Sequence, residues 1–185
     1  MNIINPPIEG LLILQPKMFG DARGFFMESF NQRAFDAAVG KPVQFVQDNH
    51  SRSSRGVLRG LHYQLGDAAQ GKLVRVTAGC VWDVAVDMRR QSPTYGQWHG
   101  VQLSGDNNTQ FWIPAGFAHG FVVLSETADF LYKTDNYYNP AQERCVRWDD
   151  PALNISWPLG QLNGAVVNVS DKDAKGALFA VAESF

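Results

Sequence analysis

Five basic or imidazole side chains, His50, Arg52, Arg55, Arg59 and His62, fall within 13 residues of one another in the stretch Gln47 to Gln64, QDNHSRSSRGVLRGLHYQ. Ser51, Ser53, Ser54 and Gly56 are turn formers and would account for a solvated loop entering a strand. A loop of that kind does not need so many cations. Guanidinium groups pair bidentately with phosphate oxygens, so the chemistry these residue types suit is anion binding. On composition alone, the solvated loop and the anion site are equal readings.

The rest of the chain must position that cluster. Its 185 residues with 45% hydrophobic content correspond to one domain with a real core. A net charge of -2 excludes bulk attraction to nucleic acid or to an anionic membrane, so any anion site has to be local. Cys80 and Cys145 lie far apart and outside any CxxC pattern, which suits a reduced, cytoplasmic protein. The N-terminus, MNIINPPIEG, has neither a basic nor an apolar leader region, and no run of about 20 apolar residues is present to span a membrane.

Short segments read as strands: Ile8 to Gln15, Phe25 to Phe30, Lys72 to Thr77, Gly79 to Asp87, Gln97 to Leu103, Thr109 to Ile113, Phe117 to Leu124 and Ala128 to Tyr137. Lys72, Val74 and Val76 alternate with Leu73, Arg75 and Thr77, and Val81, Asp83, Ala85 and Asp87 share one face of the next segment. Asn31 to Val39 reads as a helix capped by Asn31 and stopped by Gly40; Ser170 is placed to cap a second, short one. Many short strands at regular spacing predict an all-β sandwich or barrel.

Several runs in order then resemble the dTDP-4-dehydrorhamnose 3,5-epimerase family over nearly the whole chain. They are the Gln47-to-Gln64 stretch, Asp21-Ala22-Arg23-Gly24-Phe25-Phe26-Met27-Glu28, Gly71-Lys72-Leu73-Val74-Arg75-Val76, Val81-Trp82-Asp83-Val84-Ala85-Val86-Asp87, Ile113-Pro114-Ala115-Gly116-Phe117-Ala118-His119-Gly120-Phe121, Tyr132-Lys133, Tyr137-Tyr138, Asp149-Asp150-Pro151 and Ser170-Asp171-Lys172-Asp173. The resemblance implies a cupin-type jelly roll with its core over about residues 8–140, a C-terminal segment over about 145–185 packed on it, and a homodimer. It also implies a cofactor-free isomerase of dTDP-rhamnose biosynthesis that inverts C3 and C5 of a dTDP-4-keto-6-deoxyhexose.

The resemblance assigns roles residue by residue. His62 is the general base, oriented by Asp173, with Asp171 the alternative partner. Lys72 stabilises the enolate and Tyr132 donates the proton on the opposite face. His119 contacts the sugar, while Arg23, Arg59 and Lys172 approach the diphosphate or sugar. Glu28, Gln47, Asn49 and Glu143 hydrogen-bond the nucleotide, and Phe26 and Tyr138 sandwich its base or else pack in the core or dimer. Arg23 and its strand reach across from the neighbouring subunit. One conflict arises at once: on a regular strand Arg59 and His62 face opposite sides, so a bulge or twist at Gly60 is required to bring both to one cavity.

Other functions compete. A 5-epimerase or a 3,4-ketoisomerase would share the fold; Tyr132 and the His62–Asp173 pair favour the double epimerase. A metal-dependent cupin oxygenase is favoured by Pro114-x-Gly116-x-x-His119 but lacks a His-x-His, since Tyr63 and Gln64 follow His62 and only His50, His62, His99 and His119 exist. No metal is therefore expected, and the absence of GxGxxG and P-loop motifs argues against a nucleotide cofactor. A non-catalytic sugar-nucleotide binding module would need neither base nor acid.

Overall fold

A computed structural model describes residues 1–185. In chain order the strands and helices are β1 (Asn2–Ile4), β2 (Leu12–Gln15), β3 (Met18–Asp21), β4 (Gly24–Met27), α1 (Gln32–Val39), β5 (Gln47–Ser54), β6 (Leu58–Gln64), β7 (Lys72–Ala78), β8 (Cys80–Asp87), β9 (Trp98–Ser104), β10 (Gln110–Ile113), β11 (Phe117–Val123), β12 (Thr127–Thr134), β13 (Glu143–Cys145) and α2 (Asp171–Ala174). A six-stranded sheet in the order β1-β2-β10-β7-β12-β5 faces a five-stranded sheet in the order β13-β6-β11-β8-β9, and β3 and β4 form a separate hairpin. This is the β-sandwich that the strand pattern predicts and the jelly roll that the family resemblance implies.

Alternation decides what each sheet turns inward. Val74, Val76, Phe111 and Phe130 from the first sheet meet Val81, Ala85, Leu103, Phe117, Phe121 and Val123 from the second in one buried core. Lys72 shares a face with Val74 and Val76, Tyr132 with Phe130, Asp83 with Val81 and Ala85, and His119 with Phe117 and Phe121. The period-2 pattern therefore carries four polar side chains into the space between the sheets. Lys72 lies on a central strand, with β7 hydrogen-bonded to both β10 and β12, so its charge is not an edge-protecting device.

The opposite face of the six-stranded sheet is covered by α1. Phe35 packs there with Leu14, Val43, Leu73 and Trp112. Asn31 Oδ1 accepts the Ala34 N–H at 3.0 Å to start the helix, and Gly40 ends it at φ +81° with its N–H on Asp36 O at 2.8 Å. The back of the five-stranded sheet is covered by the C-terminal segment, where Leu153 and Ala182 pack with Leu61, Tyr63, Val84 and Val86. No helix is long and apolar enough to cross a membrane.

Some expected boundaries move. Ile8 and Leu11 are buried but precede β2 as loop, so the strand expected from Ile8 begins only at Leu12. The stretch from Gln47, readable as a loop, is an eight-residue strand paired along its whole length with β12. Its polar residues form a regular alternation in which Gln47, Asn49, Ser51 and Ser53 are more shielded than Asp48, His50, Arg52 and Ser54.

The irregularity required at Gly60 is present. On β11 His119 and Phe121 are two residues apart, while their partners on β6, His62 and Arg59, are three apart. The extra residue is Gly60, at φ +118°. A Cβ there would sit 2.6 Å from Gly120 Cα and from the His119 carbonyl oxygen. Leu58 and Leu61 consequently point outward, into packing with Val122 and Leu162 and with Tyr63 and Val146, while Arg59 and His62 oppose inward-facing residues. Leu58 thus does not share a face with His62, as unbroken alternation would have had it.

Gly60→Ala is expected to combine a disfavoured backbone conformation with a clash between strands, each worth roughly 1–3 kcal/mol. Urea unfolding should show a clear loss of midpoint, with a disproportionate loss of activity in whatever fraction remains folded. A wild-type midpoint would mean that β6 and β11 can separate there at no cost.

Candidate active site

The site lies between the sheets, with β6, β11 and β8 on one side, β7 and β12 on the other, and β13 and α2 at its rim. On β6, the bulge aims His62 inward opposite His119. The His62 Nε2–H donates to Asp173 Oδ1 at 2.7 Å. Asp173 reaches it from α2, a single helical turn whose cap, Ser170, accepts the Asp173 N–H at 3.1 Å. Its second oxygen accepts the Gly60 N–H at 3.3 Å.

Burial alone would raise the Asp173 carboxyl, but the His62 hydrogen bond and charge, with the Gly60 N–H, hold it below its ordinary value. An ionised carboxylate on Nε2 fixes the tautomer and leaves Nδ1 free to accept a proton. The choice between Asp171 and Asp173 is thereby resolved geometrically: Asp173 is 4% exposed and bonded to the ring, whereas Asp171 is exposed.

His119 is buried and its Nε2 lies 2.8 Å from Asp83 Oδ2. Burial pulls the imidazole down and pushes the carboxyl up, and each partner opposes the effect of burial on the other. Asp83 Oδ1 is buried without a hydrogen-bond partner. Nearby, burial brings the Lys72 ammonium down to about 8, against the raising influence of Asp83 and then Glu143. Tyr132 is half-buried and its phenol is raised by burial, with the Arg59 guanidinium lowering it and Glu143 raising it.

An aromatic ladder runs between the two sheets here. The His119 ring stacks 6.0 Å from Phe130, Phe130 lies 4.1 Å from Phe121, and Tyr132 follows 6.1 Å from Phe130. His62, opposite His119 on β11, and Tyr132, beside Phe130 on β12, face inward from opposing sheets.

Polar groups organise the rim. Glu143 accepts from Tyr138 Oη at 2.7 Å and pairs with Lys172. Burial opposes its ionisation, but these two partners hold it below the usual carboxylate range. Gln47 Nε2 donates to Asn49 Oδ1 at 2.9 Å, and the Tyr138 N–H donates to Gln47 Oε1 at 3.3 Å. Arg59 Nε donates to Ser53 Oγ at 3.1 Å.

Of the residues singled out from sequence, His62, Asp173, His119, Lys72, Tyr132, Arg59, Gln47, Asn49, Glu143, Tyr138 and Lys172 thus gather in one region. Arg23, Phe26 and Glu28 do not. Arg23 sits at the tip of the β3–β4 hairpin and bonds its own neighbour Asp21, and Phe26 is 69% exposed. Glu28 follows β4 beside a separate depression of about 320 Å³ lined by Phe19, Phe26 and Phe30.

The cationic cluster also divides. Arg52 and His50 both bind Asp129 on the outer face, at 2.7 and 3.2 Å, and Arg55 caps the Leu124 carbonyl. Only Arg59 and His62 turn inward. Asp83 and Cys145 were not singled out as site residues. A carboxylate on the apolar face Val81-x-Asp83-x-Ala85 was the available signal for the first. Cys145 enters only through strand register, opposite His62.

Comparison with known proteins gives the same direction. Residues 5–180 match the family model described as dTDP-4-dehydrorhamnose 3,5-epimerase. A Pseudomonas aeruginosa protein named dTDP-4-dehydrorhamnose 3,5-epimerase is 61% identical over 178 residues, covering 96% of each chain. One of the same name from Shigella flexneri is 57% identical over 185 residues, covering 100% of this chain and 99% of its own. A crystal structure of the dTDP-6-deoxy-D-glucose-3,5-epimerase of Legionella pneumophila, in complex with dTDP-4-keto-L-rhamnose, superposes with a TM-score of 0.93 at 55% identity, over 98% of this chain and 94% of that one. The inward-facing imidazole, ammonium and phenol and these likenesses together place the chain in the dTDP-4-dehydrorhamnose 3,5-epimerase family.

Proposed function

We propose that this chain inverts C3 and C5 of dTDP-4-dehydro-6-deoxy-D-glucose to give dTDP-4-dehydro-L-rhamnose, with His62 as base, Lys72 as enolate stabiliser and Tyr132 as acid. The observation that carries this reading is the Asp173-oriented imidazole on β6 and a phenol on β12, turned inward from opposing sheets. A C4 ketone acidifies the neighbouring C–H bonds. His62 Nδ1 removes the proton at C3 or C5, and electron density moves onto the C4 oxygen. The Lys72 ammonium stabilises that oxyanion. Tyr132 returns a proton to the opposite face and the centre is inverted. Exchange with solvent resets both groups, so the reaction consumes no oxidant, metal or cofactor.

The substrate's anionic half would lie toward the rim. Arg59 and Lys172 supply charge for the diphosphate, while Gln47, Asn49, Glu143 and Tyr138 form a hydrogen-bonded wall for the nucleoside. His119, fixed by Asp83, would bond a sugar hydroxyl. Arg23, Phe26 and Glu28 would complete this end from a second subunit. In support, the hairpin carrying them pairs with no other strand of its own chain and exposes Phe19, Phe25 and Phe26. A homodimer working in the cytoplasm is part of this proposal.

Incubation in deuterated water tests the reaction: proton NMR of the product should show label at both C3 and C5, and label at one centre alone would reduce the reading to a single epimerase. His62→Ala should lower kcat by about 10²–10⁴, the usual span for a general base; turnover at the wild-type rate would remove His62 from that role.

The pH profile tests Lys72. Its ammonium is charged below about 8 and neutral above, so kcat/KM should fall as pH rises through that value. Lys72→Arg keeps its charge, and its alkaline limb should move to higher pH; an unmoved limb assigns the titration elsewhere.

Mixing inactive His62→Ala chains with inactive Arg23→Ala chains should restore turnover, because a mixed dimer contains one complete site. No recovery after subunit exchange would place Arg23 outside the neighbour's site.

A further inference from the structure

Cys145 lies directly opposite His62 in the β13–β6 register, so the two side chains project on the same side of the sheet. A ring nitrogen of His62, an oxygen of Asp173 and Cys145 Sγ all fall within 4.8 Å of one another. Cys145 is unbridged and has no part in the epimerisation described above. Its thiol makes one long contact, 3.6 Å to the Val146 carbonyl.

We propose that His62, Asp173 and Cys145 form an inhibitory site for a thiophilic divalent cation of the zinc or cadmium class. One thiolate, one imidazole and one carboxylate are a donor set that such ions accept, with solvent in a fourth position. Metal–ligand bonds of about 2.0–2.3 Å place tetrahedral donors roughly 3.5 Å apart, so the three side chains need move by only about 1 Å. Two anchor points are already rigid: Asp173 is held by the Ser170 cap and the Gly60 N–H, and His62 by the strand pairing on both sides.

The site would act by a change of tautomer. The cation takes the Nε2 lone pair, and the proton that Nε2 had shared with Asp173 relocates through solvent to Nδ1. Cys145 loses its thiol proton to solvent, so one proton is released per ion bound. Nδ1–H has no lone pair to receive a proton from a sugar carbon. The inhibitory half of this inference rests on His62 being the base; the binding half does not.

Cadmium chloride added to the full-length protein provides the test. Stoichiometric cadmium should produce ultraviolet thiolate-to-cadmium absorption in the wild type and in Cys80→Ser, and none in Cys145→Ser. In parallel, wild-type turnover should fall by about 10²-fold, the lower range of a general base's contribution, and return with chelator. Cys145→Ser should turn over normally and resist cadmium. Absorption that is absent from the wild type, or that survives in Cys145→Ser, overturns the site. Absorption dependent on Cys145 with undiminished turnover overturns the inhibition, and whether His62→Ala is itself inactive then tells whether the base assignment has failed as well.

Discussion

The cavity follows from the way β6 crosses β11 at Gly60. Two backbones approach there so closely that a single methyl group would overlap both the Gly120 α-carbon and the His119 carbonyl. The inserted residue resets the alternation of β6, and Arg59 and His62 turn to the same side. A regular strand would leave one of them outside the sandwich. The bulge does a second thing: it takes the Gly60 N–H out of the ladder, and that orphaned donor is used by Asp173. One irregularity therefore aims the imidazole and helps hold the carboxylate that orients it.

Around this point the interior is unfavourable to charge. Burial pulls the Lys72 and His119 cations down and pushes the Asp83 carboxyl and the Tyr132 phenol up. Asp173 departs from this trend because its hydrogen bonds outweigh its desolvation. Glu143, at the rim, does so through Tyr138 and Lys172. The result is a graded environment. Groups whose uncharged form burial favours lie between the sheets, and groups that stay ionised lie where they can orient a ring or meet an anionic substrate. Separation of this kind is how one cavity supports a base and an acid at the same pH.

Much of the arrangement was legible as alternation. Lys72 with Val74 and Val76, Tyr132 with Phe130, and His119 with Phe117 and Phe121 all followed from a period of two, because these strands are regular over those residues; the one register shift between β7 and β12 falls beyond them, between Asp129 and Phe130. The α1 cap and stop were equally plain, since Asn31 and Gly40 act on neighbours three or four residues away. What could not be read was long-range. Nothing local distinguishes Arg59 from Arg52, and only pairing with β12 sends Arg52 outward to Asp129. The β5 strand looked like loop because its polar residues lack an apolar face, and its partner, not its own composition, makes it a strand. Asp173 is 111 residues from His62, a contact that family resemblance suggested and no spacing implied.

The β3–β4 hairpin is the part that one chain leaves unexplained by its own packing. A two-stranded hairpin is marginal in water by itself. This one carries exposed Phe19, Phe25 and Phe26; its strands pair only with each other, Phe19 lies 6.5 Å from Phe26 with the Lys17 ammonium over its ring, and Arg23 folds back on Asp21. An apolar surface of that kind needs a cover, and a cationic tip needs an anion better than its own neighbour. In the proposed homodimer a second copy of the sandwich would offer both, because aromatic Tyr138 and the cation Lys172 lie at the rim of its site. Under that proposal the arm and the site between the sheets would form two halves of one whole, and association would be a condition of substrate binding as well as of stability.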